Sequence, residues 1–149
     1  MLESATTTTA RPVGVQSATT LWQGAVLTAI AAVLFPRLNA VVHDGQAFWQ
    51  LDTEAAILIP VIVVVTLALF ASVGRWAWSH RTADVAVGSA IVSVLGVVAF
   101  WVSAPIVFGG LAVTLGWEAR RRGAKRALAA TVVGAIAVLA GAVIWLVGP

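Results

Sequence analysis

From Val85 to Trp117 the chain runs for about 33 residues without one charged side chain, a stretch that a water-soluble domain could not cover. As a single straight α-helix it would be roughly 50 Å long, against a bilayer hydrocarbon core of about 30 Å. It is too long for one crossing and long enough for two short ones. Ser103-Ala104-Pro105 divides it, because the residue before a proline is steered away from helical dihedrals. Gly109-Gly110 is expected to weaken helix continuity just beyond.

The whole chain of 149 residues follows the same pattern, with 60% hydrophobic residues and 10% charged. An ordinary soluble domain has roughly 45–50% and 25%, so a soluble globule is excluded. With no cysteine, disulfides, thiolate metal sites and Cys nucleophiles are excluded as well. The expected fold is all-α, an integral membrane helical bundle of five transmembrane helices, with four as the alternative. Residues 1–20, rich in Thr and Ala and containing Pro12 and Gly14, read as a flexible polar tail. Residues 21–149 form one transmembrane domain with spans at about 21–42, 55–73, 85–102, 104–119 and 127–147.

The first apolar run, Leu21 to Phe35, covers only about 23 Å, so the helix is expected to pass through Pro36 with Arg37 snorkelling to the interface. A cleavable signal peptide fits poorly here. Arg11 is the only charge near its start apart from Glu3, and Pro36-Arg37 stands where a small-residue cleavage site would form. Pro60 falls in the first turns of span two, where a missing N–H is tolerated. Gly74 to Asp84 reads as a short polar loop.

Charge chooses between four and five spans. The segment holding Arg37, Asp44, Asp52 and Glu54 has net charge −2, the Gly74–Asp84 loop +1, and the turn holding Arg120, Arg121, Arg122, Lys125 and Arg126 with Glu118 has +4. Five spans put the +4 and +1 loops on the cytoplasmic side and the −2 loop outside, as the Lys/Arg bias requires. Four spans would place the +4 and −2 loops on one face. The expected topology is therefore N-terminus cytoplasmic and C-terminus outside. Tryptophans prefer the headgroup level, and all seven fall near span ends: Trp22, Trp76, Trp78 and Trp117 inside, Trp49, Trp101 and Trp145 outside.

No ionisable residue sits at a span centre, where each would cost about 2.5–3.5 kcal/mol on insertion scales. The spans therefore offer no proton relay, ion-coupled carrier site or activated nucleophile. Their polar groups are mainly Gln23, Thr28, Thr66, Ser89, Ser93 and Thr131, and hydroxyls at such positions usually bond their own helix or a neighbour. His43 and His80 fall on opposite sides and cannot share a metal or haem. His43 with Asp44, Asp52 and Glu54 could form an outer cluster, but shows no ligand spacing, and solvated loop charge explains it. No catalytic residue, cofactor or metal site is expected.

Helices in lipid associate through small residues. Gly88 with Gly96 marks one stripe of span three, and Ala130 with Gly134 and Ala137 with Gly141 form small-xxx-small pairs in span five; contacts within the bundle account for them as well as contacts between molecules. The sequence pI near 11.2 points away from nucleic acid once its source is located. Five of the nine basic residues, Arg120, Arg121, Arg122, Lys125 and Arg126, share one short turn, which sets orientation and can meet anionic lipid headgroups.

The stretch from Ala86 to Gly148 resembles a short bacterial multi-pass membrane domain of unknown function. The likeness lies in an apolar hairpin broken at Pro105, then Gly109-Gly110-Leu111-Ala112-Val113, Gly116-Trp117-Glu118-Ala119-Arg120-Arg121, a basic turn and a final Gly-spaced helix. The chain departs from that pattern in carrying Glu118 before Ala119. The resemblance implies a bacterial inner-membrane setting and no assigned activity. Three functions are weighed: a non-enzymatic accessory or scaffold subunit packing against a larger membrane partner, a small homo-oligomeric channel or exporter, and an enzyme with an outer-face site around His43 and Asp44. A reporter fused after Gly123 is expected to read cytoplasmic; a periplasmic reading overturns the five-span topology.

Overall fold

The structure is a computed structural model that describes residues 13–80, 82–96 and 103–147. Among these the chain is helical and has no strand. Helix α1 spans Val13–His43 and α2 spans Thr53–Leu69, which continues through a π-helical turn, Phe70–Gly74, into α3, Arg75–Ser79. Helices α4 (Thr82–Leu95), α5 (Ala104–Arg121) and α6 (Ala127–Val147) complete the bundle. Three stretches are long and apolar enough to cross a membrane: Ala18–His43, Thr53–Ser79 and Ala127–Val147.

Successive elements run in opposite directions. Leu21, early in α1, lies against Gly74 at the far end of the α2–α3 rod, and Ser93 Oγ donates to the Pro105 carbonyl where α4 meets α5 (2.8 Å). At the other end of the same pair, Arg122 just past α5 reaches Thr82. The apolar stretch therefore folds back as an antiparallel pair. Its turn, including Trp101 and the end of the expected third span, lies outside the described residues.

Three boundaries differ from expectation. Residues 13–20 are helical rather than part of a flexible tail: between Pro12 and Pro36 no proline interrupts the backbone. The supposed loop from Gly74 to Asp84 is mostly helix, because Gly74 is buried against Leu21 and Leu111 inside the π turn and Ser79 Oγ donates back to the Trp76 carbonyl. Gly109 and Gly110 do not break α5. They lie mid-helix, where a Cβ on Gly109 would come within 2.8 Å of the Gly134 carbonyl, and one on Gly110 would overlap Thr28.

The glycines set how close the helices approach. Gly134 is the reciprocal partner of Gly109, its own absent Cβ falling 2.8 Å from the Gly109 carbonyl. Between α1 and α5 the device is doubled, with Gly24 under Thr114 and Gly110 under Thr28. Ala25, Ala32, Ala77, Ala86, Ala112 and Ala127 are fully buried, while Ile57, Val64, Leu95 and Leu139 point outward. This inversion suits a lipid solvent, in which close backbone packing rather than apolar burial drives helices together.

Pro36 lies inside α1, and having no N–H it leaves the carbonyl four residues back, Ala32, without its helical donor. Ser103 supplies one: its hydroxyl donates to the Ala32 carbonyl at 3.1 Å, and both residues are fully buried. Ser103 adopts a left-handed backbone, φ 56°, while its own carbonyl accepts from the Ile106 and Val107 N–H groups and starts α5. Replacing Ser103 with Gly keeps that backbone accessible and removes only the hydroxyl. S103G is expected to cost about 1–2 kcal/mol through the orphaned carbonyl. In a P36A background, where the helix regains its own donor, the cost falls by about 1 kcal/mol. Denaturant unfolding of the four proteins in detergent measures both terms, and equal costs in the two backgrounds would refute the pairing.

Candidate functional site: the polar cavity at the acidic end

Charge divides the bundle into two ends. The acidic end carries the α1–α2 loop and the last turn of α6; the basic end carries the α5–α6 turn and the end of α3.

At the acidic end, Gly45 takes a left-handed conformation, φ +63°, which only glycine adopts readily. The chain there turns back so that the Gln46 N–H bonds the Ala40 carbonyl. Between the two helices the loop leaves the carbonyls of Ala47, Phe48 and Gln50 outside any helical ladder. Arg37 answers them: its Nη2 group donates to the carbonyls of Ala47 (3.2 Å), Phe48 (2.8 Å) and Gln50 (2.8 Å). Arg37 is only 5% exposed, so it is folded under the loop and does not snorkel outward as expected. The Asp52 carboxylate accepts from the Ala55 N–H at 2.7 Å and caps α2. Asn39 donates to the Trp145 carbonyl and ties the ends of α1 and α6 together.

These elements enclose a cavity of about 250 Å³. Its polar wall is Arg37, Asn39, Asp44, Gln46, Asp52 and Glu54; Ala32, Val33, Ile59 and Ile62 lie below. One guanidinium faces three carboxylates. Asp44 and Glu54 enter no ion pair among the described residues, and Arg37 Nε and Gln46 Oε1 are buried without hydrogen-bond partners there. His43 lies outside the cavity, exposed, its ring nitrogen 3.3 Å from Asn39 Nδ2. No group of three potential metal ligands occurs among the described residues.

At the basic end the five cations do not behave alike. Arg122 pairs with Glu118 at 3.0 Å, donates to the Trp78 carbonyl at 2.7 Å and sits over the Trp78 ring. It joins α5 to α3, and Trp78 beneath it is buried rather than facing lipid. Arg120, Arg121, Lys125 and Arg126 are exposed around a turn made by Gly123, φ +89°. Of the small residues singled out in the sequence, Ala130, Gly134, Ala137 and Gly141 are buried, with Gly141 against Pro105 and Ile106. Gly96 abuts Ala104, but Gly88 is exposed with nothing within 4 Å of a would-be Cβ. Among the described residues, then, Gly96 has a packing neighbour and Gly88 has none.

The role of Arg37 was the main omission of the sequence reading. The signal was its place: an arginine directly after a helix proline, beside a short loop with few side chains able to satisfy its carbonyls. No family model matches the chain, and no curated protein or solved structure matches it either.

Replacing Arg37 with Met keeps the length and removes the donors. With charge-assisted hydrogen bonds worth about 1.5–3 kcal/mol each, R37M is expected to lose at least about 3 kcal/mol of stability or to release the loop locally. Hydrogen exchange at residues 44–52 distinguishes the two, and unchanged exchange together with unchanged stability would contradict the assignment.

Proposed function

We propose that this chain is a non-enzymatic accessory or scaffold subunit of the bacterial inner membrane that packs against a larger membrane protein. It crosses five times, with the N-terminus cytoplasmic and the C-terminus outside. The alternating helix directions support five crossings, the third being the short one, since the 14 residues of α4 cover about 21 Å. The Lys/Arg bias supports the orientation, and four exposed cations at the basic end are placed to meet anionic headgroups. The bacterial setting rests on the sequence resemblance.

The observation that carries the reading is the rod from Thr53 to Ser79. It is the most apolar of the three long helices, with a mean hydropathy of 2.8, yet only 11% of its most apolar window is buried by the rest of the chain, against 28% and 33% for the other two. Ile57, Leu58, Val61, Val64 and Val65 all face outward. An aliphatic face of this length is a surface on which another membrane helix can pack. A homo-oligomeric channel has less support, because, of the fragments of a polar stripe, Thr28, Ser89 and Ser93 are turned into the bundle and Gln23 alone is exposed. An enzyme around His43 and Asp44 has less still, since the two share no hydrogen bond and the cavity takes in only Asp44.

Native mass spectrometry of the protein gently extracted at native expression level tests the proposal. A stoichiometric larger partner is expected. A defined homo-oligomer without one would replace this reading with the channel, and a bare monomer would remove the partner altogether.

A further inference from the structure

We infer that the outward row of the α2–α3 rod takes a transmembrane helix of a different protein, one flanked by Lys or Arg at the level of Glu54 and by Asp or Glu at the level of Arg75. The inference rests on the packing role proposed above and deepens it by naming the chemistry of the partner helix.

The row has the spacing of a packing seam. Glu54, Ile57, Val61, Val64 and Ala68 follow one another at alternating steps of three and four residues, the period that keeps side chains along one line of a helix, and all five are exposed. The residues that hold the rod to the bundle, Ile62, Thr66, Leu69 and Phe70, lie on its other side. Ile57, Val61 and Val64 keep half or more of their surface open, so among the described residues nothing covers the row.

Charge selects the occupant. Glu54 and Arg75 are both exposed and enter no ion pair among the described residues. From one to the other the rod rises about 30 Å, the thickness of the hydrocarbon core, so each stands at a headgroup level and the two levels have opposite sign. Two copies of this chain inserted the same way are related by an axis along the membrane normal. Their rods would run parallel and set Glu54 against Glu54 and Arg75 against Arg75, and like charges oppose that pairing at both ends. A foreign helix with a cation beside Glu54 and a carboxylate beside Arg75 gains at both, whichever way its own chain runs. With the acidic end outside, its flanks run against the usual Lys/Arg bias, which makes such a helix recognisable among others in the membrane.

The full-length chain carrying the photocrosslinker benzoylphenylalanine in place of Val61 or Val64, or of the exposed Leu139 on α6 as a control, is photolysed in its own membrane, and the crosslinked peptides are sequenced by mass spectrometry. Val61 and Val64 are expected to capture one helix of another protein, with Lys or Arg at the Glu54 level and a carboxylate at the Arg75 level, that Leu139 does not capture. Glu54→Gln combined with Arg75→Gln should lower the captured fraction about threefold, the scale of two exposed ion pairs, with the melting temperature unchanged, since both side chains are exposed and unpaired. Glu54→Lys should lower it further, and exchanging the captured helix's own cation for Glu should restore it. A captured helix of another protein without those flanking charges, equal capture from Leu139, or capture indifferent to the double substitution overturns the inference and leaves the packing role standing. A crosslinked second copy, or lipid adducts alone, overturns the inference as well, and native mass spectrometry then shows whether a larger partner is bound elsewhere or the packing role fails with it.

Discussion

The Ala32 carbonyl loses its helical donor to Pro36 and regains one from the hydroxyl of Ser103, 71 residues further along the chain. In water such a carbonyl would simply be hydrated. In hydrocarbon an unsatisfied backbone group has no water to turn to, so the Pro36 turn of α1 and the start of α5 are bound to one another. The bond ties the start of α5 to α1, and α5 in turn packs against both α4 and α6, which also pack on one another.

The same requirement shapes the acidic end. A loop too short to form its own secondary structure leaves carbonyls exposed beside apolar helices, and Arg37 meets three of them with one nitrogen. The guanidinium is thereby withdrawn from the lipid interface and becomes the floor of the loop. With the loop held, the exposed carboxylates of Asp44, Asp52 and Glu54 and the half-buried Gln46 line one cavity. Arg122 does the corresponding work at the basic end, where it closes the α3–α4 corner against α5. In each case an arginine that looks like surface charge in the sequence is a backbone clamp in the fold.

Between the two ends, packing is set by what is missing. Gly109 and Gly134 let two backbones approach to a distance that no Cβ would permit, and the two glycine–threonine pairs do the same between α1 and α5. The larger aliphatic residues are left outside. On the α2–α3 rod Ile57, Leu58, Val61, Val64 and Val65 face outward, while Phe70 and Trp78 are buried and Ile62, Leu67 and Leu69 pack against the core; the outward row, rather than any polar stripe, is what a membrane partner could cover.

The sequence by itself determined the solvent and the elements. Uncharged runs of helical length, a basic turn and an acidic loop follow from composition along the chain, and they required an all-helical membrane bundle with a break before Pro105. Only the tertiary structure decided what each break and each glycine meant. Gly74 and Gly109-Gly110 read locally as interruptions, because a glycine's low helix propensity is visible in the sequence while the neighbouring helix that fills its missing side chain is not. Gly88, with the same local signature as Gly134, has no such neighbour among the described residues. Arg37 read as a snorkelling charge because its three acceptors are backbone carbonyls, and every residue carries one; which of them lacks a donor depends on the path of the loop. Helix, polarity and charge are properties of residues in order along the chain, whereas an orphaned carbonyl and the group that satisfies it are properties of two segments brought together.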